Sequence, residues 1–245
     1  MTIEFAALQP ANEALGDRLA EVIRQKANRN PRGLVKAIGP SEVGEPCVRR
    51  LAYRISDQPK VNEFSDPWPS VSGTAIHAWL AEAFEADKSG HWLTEKRVTI
   101  REGLAGNVDL FDMANGIVID HKCVGATSMK SRKDKGPTEQ QLAQINLYAY
   151  GLKQEGFDVK KVALAFYPLG GMLSGLHIWV GDYNEQIALD SLARLDNATM
   201  LTQLLQPKEQ PENWAAIPAT FSRNCMFCPY YVPKSDDLSL GCPGE

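Results

Sequence analysis

Apolar and polar residues follow two different periods along this chain, and each period predicts one kind of element. Helical spacing of apolar residues is found in four segments: residues 12–29, 72–88, 138–154 and 184–205. Strand-like runs bounded by turn residues are found in five: WLTEKRVTI, LAGNVDLFDM, IVIDHKCV, VALAFYPL and LSGLHIWVG. The segments 56–70 and 124–137 are polar or rich in proline, and we predict both to be loops.

The order of these elements predicts the fold class. After the first helix, the chain runs helix, three strands, helix, two strands and helix, which is typical of a mixed α/β sheet flanked by helices. The length of 245 residues suits one domain. We divide it into a helical N-terminal segment (1–71), a core (72–206) and a cysteine-rich tail (207–245).

Composition narrows the class of protein. The chain is 44% hydrophobic and 23% charged, which is ordinary for a globular protein. It has neither a secretory signal pattern nor an apolar run long enough to span a bilayer, so we expect a cytoplasmic protein and no membrane partner. The formal net charge is −4, so any nucleic-acid partner would have to be met by a local basic face.

Two carboxylates and a lysine are predicted to converge in the middle of the chain. Asp120 and Lys122 are two residues apart in a strand, so both side chains point to one face. The turn at residues 115–116 folds the preceding strand back and brings Asp109 alongside them. Carboxylate oxygens of this kind suit Mg²⁺ or Mn²⁺, and such an ion can polarise a phosphodiester.

Side chains from the two flanking helices complete this group. His77 lies on the helix before the strands, and an imidazole favours Mn²⁺ more than carboxylates alone do. Gln144 and Tyr148 are four residues apart on the following helix, so they share a face. An amide and a phenol can bond phosphate or sugar, and a tyrosine ring can stack on a base. Simple packing of the helix face is the alternative for this pair.

Four of the five cysteines have the spacing of a metal site. Cys225 and Cys228 supply two ligands from one turn, Cys242 a third, and the distant Cys47 a fourth. Four thiolates suit either a [4Fe–4S] cluster or Zn²⁺, and the spacing does not separate the two. Such a site would tie the two ends of the chain together. Cys123 is adjacent to Lys122 but should point to the opposite face of its strand.

The motifs GTAIH, GNVDL, VIDHK and QINLY occur in an order that resembles the RecB-type branch of the PD-(D/E)XK nucleases. With the flanking segments CVRRLAYR and CMFC, the chain is similar to the iron–sulfur members: the CRISPR-associated exonuclease family numbered four and the nuclease domain of AddB. The resemblance implies a restriction-endonuclease-like core, a [4Fe–4S] cluster on the four cysteines and metal-dependent cleavage of DNA.

The resemblance also assigns roles to individual residues. His77, Asp109, Asp120 and the carbonyl of His121 would be metal ligands, and Lys122 the catalytic lysine. Gln144 and Tyr148 would form the accessory motif. The substrate would be single-stranded DNA or duplex ends, and a phage recombination nuclease, a repair nuclease and a CRISPR spacer-processing enzyme all fit. A separate helicase, recombinase or CRISPR partner and a homo-oligomer are compatible with it.

Two groups of basic residues are candidates for contacts with the DNA backbone. They are Lys130, Arg132, Lys133 and Lys135 after the central strands, and Arg49 and Arg50 beside the first cysteine of the metal site. A solvated charged surface is the alternative for both groups. For the whole protein, the alternatives to an exonuclease are a non-catalytic DNA-binding or assembly subunit and a redox-switched iron–sulfur DNA-binding protein.

Overall fold

A five-stranded mixed sheet forms the centre of the fold. The computed structural model describes residues 9–28, 38–62 and 66–244. The strands lie in the sheet in chain order: β1 (Trp92–Arg101), β2 (Leu104–Asp112), β3 (Ile117–Val124), β4 (Lys161–Pro168) and β5 (His177–Asp182). Strands β3 and β4 are parallel, and the other neighbouring pairs are antiparallel. The predicted α/β class and all five predicted strands are therefore confirmed.

The described residues also contain seven α-helices. These are α1 (Gln9–Asn28), α2 (Pro40–Val43), α3 (Val48–Ile55), α4 (Trp68–Ala86), α5 (Ala126–Lys135), α6 (Glu139–Gln154) and α7 (Glu185–Leu205). Helix α6 begins at a capping box, in which the Thr138 hydroxyl accepts the Gln141 N–H and the Gln141 side chain accepts the Thr138 N–H. The side chain of Asn184 caps α7 by accepting the N–H of Gln186.

Helices cover the two faces of the sheet. Helices α6 and α7 share one hydrophobic core with β1, β2 and β3, and Val98, Val118, Ile145 and Leu147 are fully or almost fully buried in it. Helix α4 packs on the other face, where the Phe84 ring is stacked on His121 with a centroid separation of 5.8 Å. The side chains of β3 therefore alternate between these two environments.

Two of the predicted boundaries are wrong. Residues 124–137 were expected to be a loop, but α5 occupies most of this segment. The segment is polar because α5 buries a single residue, Met129, so its sequence lacks an amphipathic stripe. Helix α4 begins at Trp68 rather than after Ser72. A proline lies in its first turn, where it is tolerated because the N–H groups of a first turn have no carbonyl partner within the helix.

The first helix leaves its apolar side uncovered within the part of the chain that the structure describes. Leu19 and Val22 are 59% and 66% exposed, as are several of their neighbours at helical spacing. None of the described helices combines the length and the apolar character that crossing a bilayer requires.

The C-terminal tail packs against α3 and forms a second, smaller core. Trp214 and Ile217 from the tail are fully buried there against Tyr53 of α3. Hydrogen bonds reinforce the contact: the Tyr53 hydroxyl donates to the carbonyl of Leu238 at 2.6 Å, and the Arg49 N–H donates to the carbonyl of Pro218 at 2.8 Å. Buried side chains and hydrogen bonds therefore join α3 to the C-terminal tail.

Candidate active site

The candidate active site lies where β2 and β3 separate. The two strands pair only from Leu110 to Asp112 and from Ile117 to Ile119. Just beyond, the carboxylate of Asp109 accepts the backbone N–H of His121 at 2.7 Å. A side-chain oxygen thus satisfies a donor that the sheet ladder no longer pairs. The divergence opens a gap between the strands and directs Asp109 towards β3.

Asp120 and Lys122 form a pair on the α6 side of this gap. The Lys122 Nζ lies 2.7 Å from the Asp120 Oδ2 and 3.0 Å from the Gln144 Oε1, to which it donates a hydrogen bond. Asp120 is only 2% exposed. Burial raises the pKa of this carboxyl to about 6, although the lysine beside it acts in the opposite direction. The carboxylate of Asp120 is therefore costly to ionise, although the ammonium of Lys122 lies beside it.

His77 reaches the gap from α4 and contacts Asp109. The His77 Nδ1 is 3.5 Å from the Asp109 Oδ2, and this hydrogen bond raises the pKa of the imidazole against the effect of burial. Burial alone would raise the pKa of Asp109, but His77 and the N–H of His121 lower it overall. Asp109 is therefore held in its ionised form, which is the form that binds a cation.

Glu95 is a further candidate metal ligand beside His77 and Asp109, and no motif in the sequence singled it out. A carboxylate oxygen of Glu95, one of Asp109 and an imidazole nitrogen of His77 all lie within 4.8 Å of one another. Glu95 faces Asp109 in the hairpin, between the pairs Thr94–Leu110 and Lys96–Val108. Counting outwards from the turn between β1 and β2 would have missed Glu95, because the register of the two strands shifts between Thr99 and Arg101.

The backbone of Glu95 is unusual for a strand. Its φ is +45°, in the left-handed region that costs a non-glycine residue roughly 1–2 kcal/mol. The irregularity changes which face of β1 is buried. Leu93 and Val98 are five positions apart, which in a regular strand places two side chains on opposite faces, yet both contact the same core cluster. The kink occurs at the one position of β1 that faces Asp109, where strain of this kind is typical of functional sites.

Tyr148 is a core residue with one polar end. The ring is 7% exposed and packs so closely on Gly106 that a Cβ there would lie 2.8 Å from the Tyr148 Cε1. Stacking on a DNA base is therefore not available to it. Burial raises the pKa of the phenol, and the hydrogen bond with Gln144 lowers it. Gln144 and Tyr148 therefore interact with each other, as their spacing on α6 predicts, and Gln144 also bonds Lys122.

The imidazole of His121 is buried behind the site, on the face that α4 covers. Burial lowers the pKa of His121 to about 4, and its Nδ1 has no hydrogen-bond partner. The ring is therefore neutral and packs edge-on against Tyr167, with centroids 5.4 Å apart. The ligand role predicted for His121 concerns its carbonyl oxygen and stays a prediction.

The two basic groups differ in their exposure. Lys130, Lys133 and Lys135 are exposed on α5, whereas Arg132 is half-buried and donates to the carbonyl of Gly136 at 3.1 Å. Arg50 has a side chain that is 37% exposed and forms an ion pair with Glu45 at 2.7 Å. Arg49 is a correction: it is 9% exposed and faces the cysteines, so it does not present its charge to DNA.

The four predicted ligand cysteines line one cavity of about 370 Å³ between α3, the start of α6 and the tail. The N–H groups of Thr220 and Ser222 point at sulfur, at 3.5 Å from the Cys47 Sγ and 3.3 Å from the Cys225 Sγ. No three of these sulfurs, all within the described residues, lie within 4.8 Å of one another. Cys123 is half-buried on β3, away from this cavity.

Comparison with known proteins gives a likeness to solved exonuclease structures. An alkaline exonuclease (LHK-Exo) from Laribacter hongkongensis matches with a TM-score of 0.49 and 12% identity, over 74% of this chain and 94% of that one. The same protein in complex with dAMP gives a TM-score of 0.48. A phage-related exonuclease from Haemophilus somnus 129PT gives 0.45 and 13% identity, over 62% of this chain and 77% of that one. Neither the protein-family models nor the curated proteins give a match. These likenesses are too distant to assign a substrate to this chain.

Proposed function

We propose that this protein is a divalent-metal-dependent deoxyribonuclease that acts as an exonuclease on DNA ends. The observation that carries the proposal is the convergence of three acidic side chains, an imidazole and a lysine at the fork between β2 and β3. Carboxylate oxygens with one imidazole nitrogen suit Mn²⁺ or Mg²⁺. When bound, such an ion supplies Lewis-acid polarisation of the phosphodiester.

The residues of the chain divide the work between them. His77, Glu95 and Asp109 offer three ligand atoms within 4.8 Å, and Asp120 offers a further carboxylate from the adjacent strand. Lys122 would place its ammonium beside the scissile phosphate, where it stabilises the charge that develops during displacement. Gln144 holds that ammonium at 3.0 Å, so it fixes the position of the charge before substrate arrives.

Positive charge near this site supports DNA as the substrate. Helix α5 follows Val124 after one residue, and its exposed lysines lie on the segment that leaves the strand of Lys122. Phosphate contacts from such lysines would position the DNA backbone without reading its sequence. The exonuclease activity, the DNA substrate and a setting in recombination, repair or CRISPR processing are all parts of this proposal.

We further propose that the cysteine cavity holds a [4Fe–4S] cluster with a structural role. Backbone N–H donors are directed at the sulfurs of Cys47 and Cys225, and hydrogen bonds to sulfur of this kind are a feature of thiolate-held clusters. Four thiolates could also hold Zn²⁺, and metal analysis of the purified protein would separate the two. The resemblance to iron–sulfur nucleases favours the cluster, and the four cysteines line one cavity of about 370 Å³. A cluster here would reinforce the contact between α3 and the tail.

The experiment compares Lys122→Ala with the parent protein on 5′- and 3′-labelled linear DNA and on closed circular DNA, with Mn²⁺ or Mg²⁺. The parent should degrade linear DNA progressively and spare the circle, and Lys122→Ala should be at least about 100-fold slower, as expected for loss of a group that stabilises transition-state charge. Lys161→Ala is the control, because Lys161 pairs with Asp182 at the other end of β4. Equal cleavage by Lys122→Ala and the parent would refute the mechanism.

A further inference from the structure

Arg49 carries a buried positive charge that has no carboxylate partner. The residue is 9% exposed. No acidic group among the described residues lies within ion-pair distance of its guanidinium, whereas the neighbouring Arg50 pairs with Glu45 at 2.7 Å. An arginine stays protonated in proteins, and a buried charge is expensive unless an opposite charge compensates it. A negatively charged group near Arg49 would therefore stabilise its buried guanidinium.

The guanidinium of Arg49 points at the cysteine cavity. Its Nε donates to the carbonyl of Ile217 at 3.0 Å, which fixes the plane of the group. Its Nη1 lies 3.9 Å from the Cys242 Sγ, across 193 residues of chain. Arg49 and all four ligand cysteines line the same cavity. A group held by these sulfurs would lie within reach of the guanidinium and could supply the missing negative charge.

We propose that Arg49 is the buried counter-charge of the thiolate centre formed by Cys47, Cys225, Cys228 and Cys242, and that it sets how tightly that centre retains its metal and how readily it accepts an electron. The inference rests on the proposed metal centre. A cation close to sulfur stabilises the more negative form of a cluster, so it raises the reduction potential. The same charge offsets repulsion between four thiolates gathered in one cavity.

Two substitutions at Arg49 separate its charge from its hydrogen bond. Arg49→Lys keeps the positive charge, whereas Arg49→Gln removes it and keeps an N–H that can reach the carbonyl of Ile217. Arg50→Gln is the matched control, because it removes the adjacent arginine, which lies on the same cavity but already has an acidic partner. Circular dichroism of each variant reports whether it has folded.

The measurements are metal content after anaerobic purification, the rate of metal loss to a chelator and the reduction potential from a titration followed by absorption. We expect Arg49→Gln to lose metal about tenfold faster than the parent. At a fixed applied potential, the ratio of reduced to oxidised centre in Arg49→Gln should be about tenfold lower than in the parent. This change corresponds to a reduction potential that is lower by about 59 mV for a one-electron couple. Arg49→Lys and Arg50→Gln should stay close to the parent.

The outcomes distinguish this inference from the proposed function. Arg49→Gln with the metal retention and potential of the parent would overturn the role of Arg49 while leaving the centre and the nuclease in place. Loss of metal in Arg49→Lys as large as in Arg49→Gln would show that the guanidinium geometry matters rather than its charge, and would also overturn the inference. A parent protein without thiolate-bound metal would overturn both the centre and the role of Arg49. The proposed nuclease activity would still be tested separately, by the comparison of Lys122→Ala with the parent.

Discussion

Replacing Asp120 with asparagine is expected to stabilise the metal-free protein while it abolishes activity. Asp120 is 2% exposed, and burial raises its pKa from an ordinary value near 3.8 to about 6. Each unit of pKa difference corresponds to roughly 1.4 kcal/mol between the two protonation states. The ionised carboxylate therefore destabilises the fold by about 3 kcal/mol relative to its neutral form. Asparagine resembles that neutral form in size and polarity.

The dependence on pH has a definite sign. Because the folded protein holds the Asp120 proton more tightly than the unfolded chain, the stability of the parent falls as pH rises from about 4 to about 6 and stays at its lower value above that. An asparagine does not titrate, so this contribution is absent from Asp120→Asn. The two proteins should have equal stability near pH 4, and their difference should grow through the window and level off above pH 6.

The assay is thermal and urea unfolding in EDTA at several pH values from about 4 to about 8. A gain of about 3 kcal/mol corresponds to a rise in Tm of roughly 6–12 °C for a chain of this length. The matched control is Asp109→Asn, which should destabilise the protein at neutral pH because its hydrogen bonds to His77 and the N–H of His121 lower the pKa of Asp109. A variant at Asp120 that is less stable than the parent at pH 8 would refute the reasoning.

Two further substitutions probe the same region. Glu95→Gln should weaken Mn²⁺ binding by at least about tenfold in calorimetry, because even residues that only hydrogen-bond to metal ligands contribute 10–100-fold to metal affinity. The control is Glu85→Gln, which alters an exposed residue of α4 that accepts a hydrogen bond from Thr94 and should leave the affinity unchanged. Equal affinities for the parent and both variants would contradict the role of Glu95. Gly106→Ala should lower the free energy of unfolding in urea by about 1–3 kcal/mol, because the added Cβ would lie 2.8 Å from the Tyr148 Cε1. A free energy of unfolding equal to that of the parent would show that the tyrosine ring can move aside.

The sheet could be predicted because its signals are local. Strands β1, β2 and β3 were predicted nearly to their ends, since alternation and glycine-containing turns mark where each strand begins and ends. The same locality placed Asp120 and Lys122 on one face. The four cysteines with metal-site spacing lie on one cavity between α3 and the tail, and the metal site predicted for them stays a prediction.

The rest depended on tertiary contacts that leave little trace in the sequence. Helix α5 buries only Met129, so its period is hidden under a run of charges. The burial of Arg49 follows from the packing of the tail on α3, and its side chain looks in the sequence like that of its exposed neighbour Arg50. Glu95 required the left-handed kink in β1, which no propensity of glutamate predicts.

Helix α6 connects the two sites. Its first turn, with Thr138 and Gln140, forms a wall of the cysteine cavity, and Gln144 follows one turn later with its hydrogen bond to Lys122. Arg194 links this end of the helix to the cysteine segment: it donates to the Glu139 carboxylate of α6 at 3.0 Å and to the carbonyl of Glu45, two residues before Cys47. Displacing the helix by about 1 Å can reduce the rate of an enzyme by about 100-fold, because catalytic groups act only within a narrow range of positions. The structural centre proposed for the cysteines would therefore act on the proposed cleavage through the placement of α6, without taking part in the chemistry proposed for Lys122.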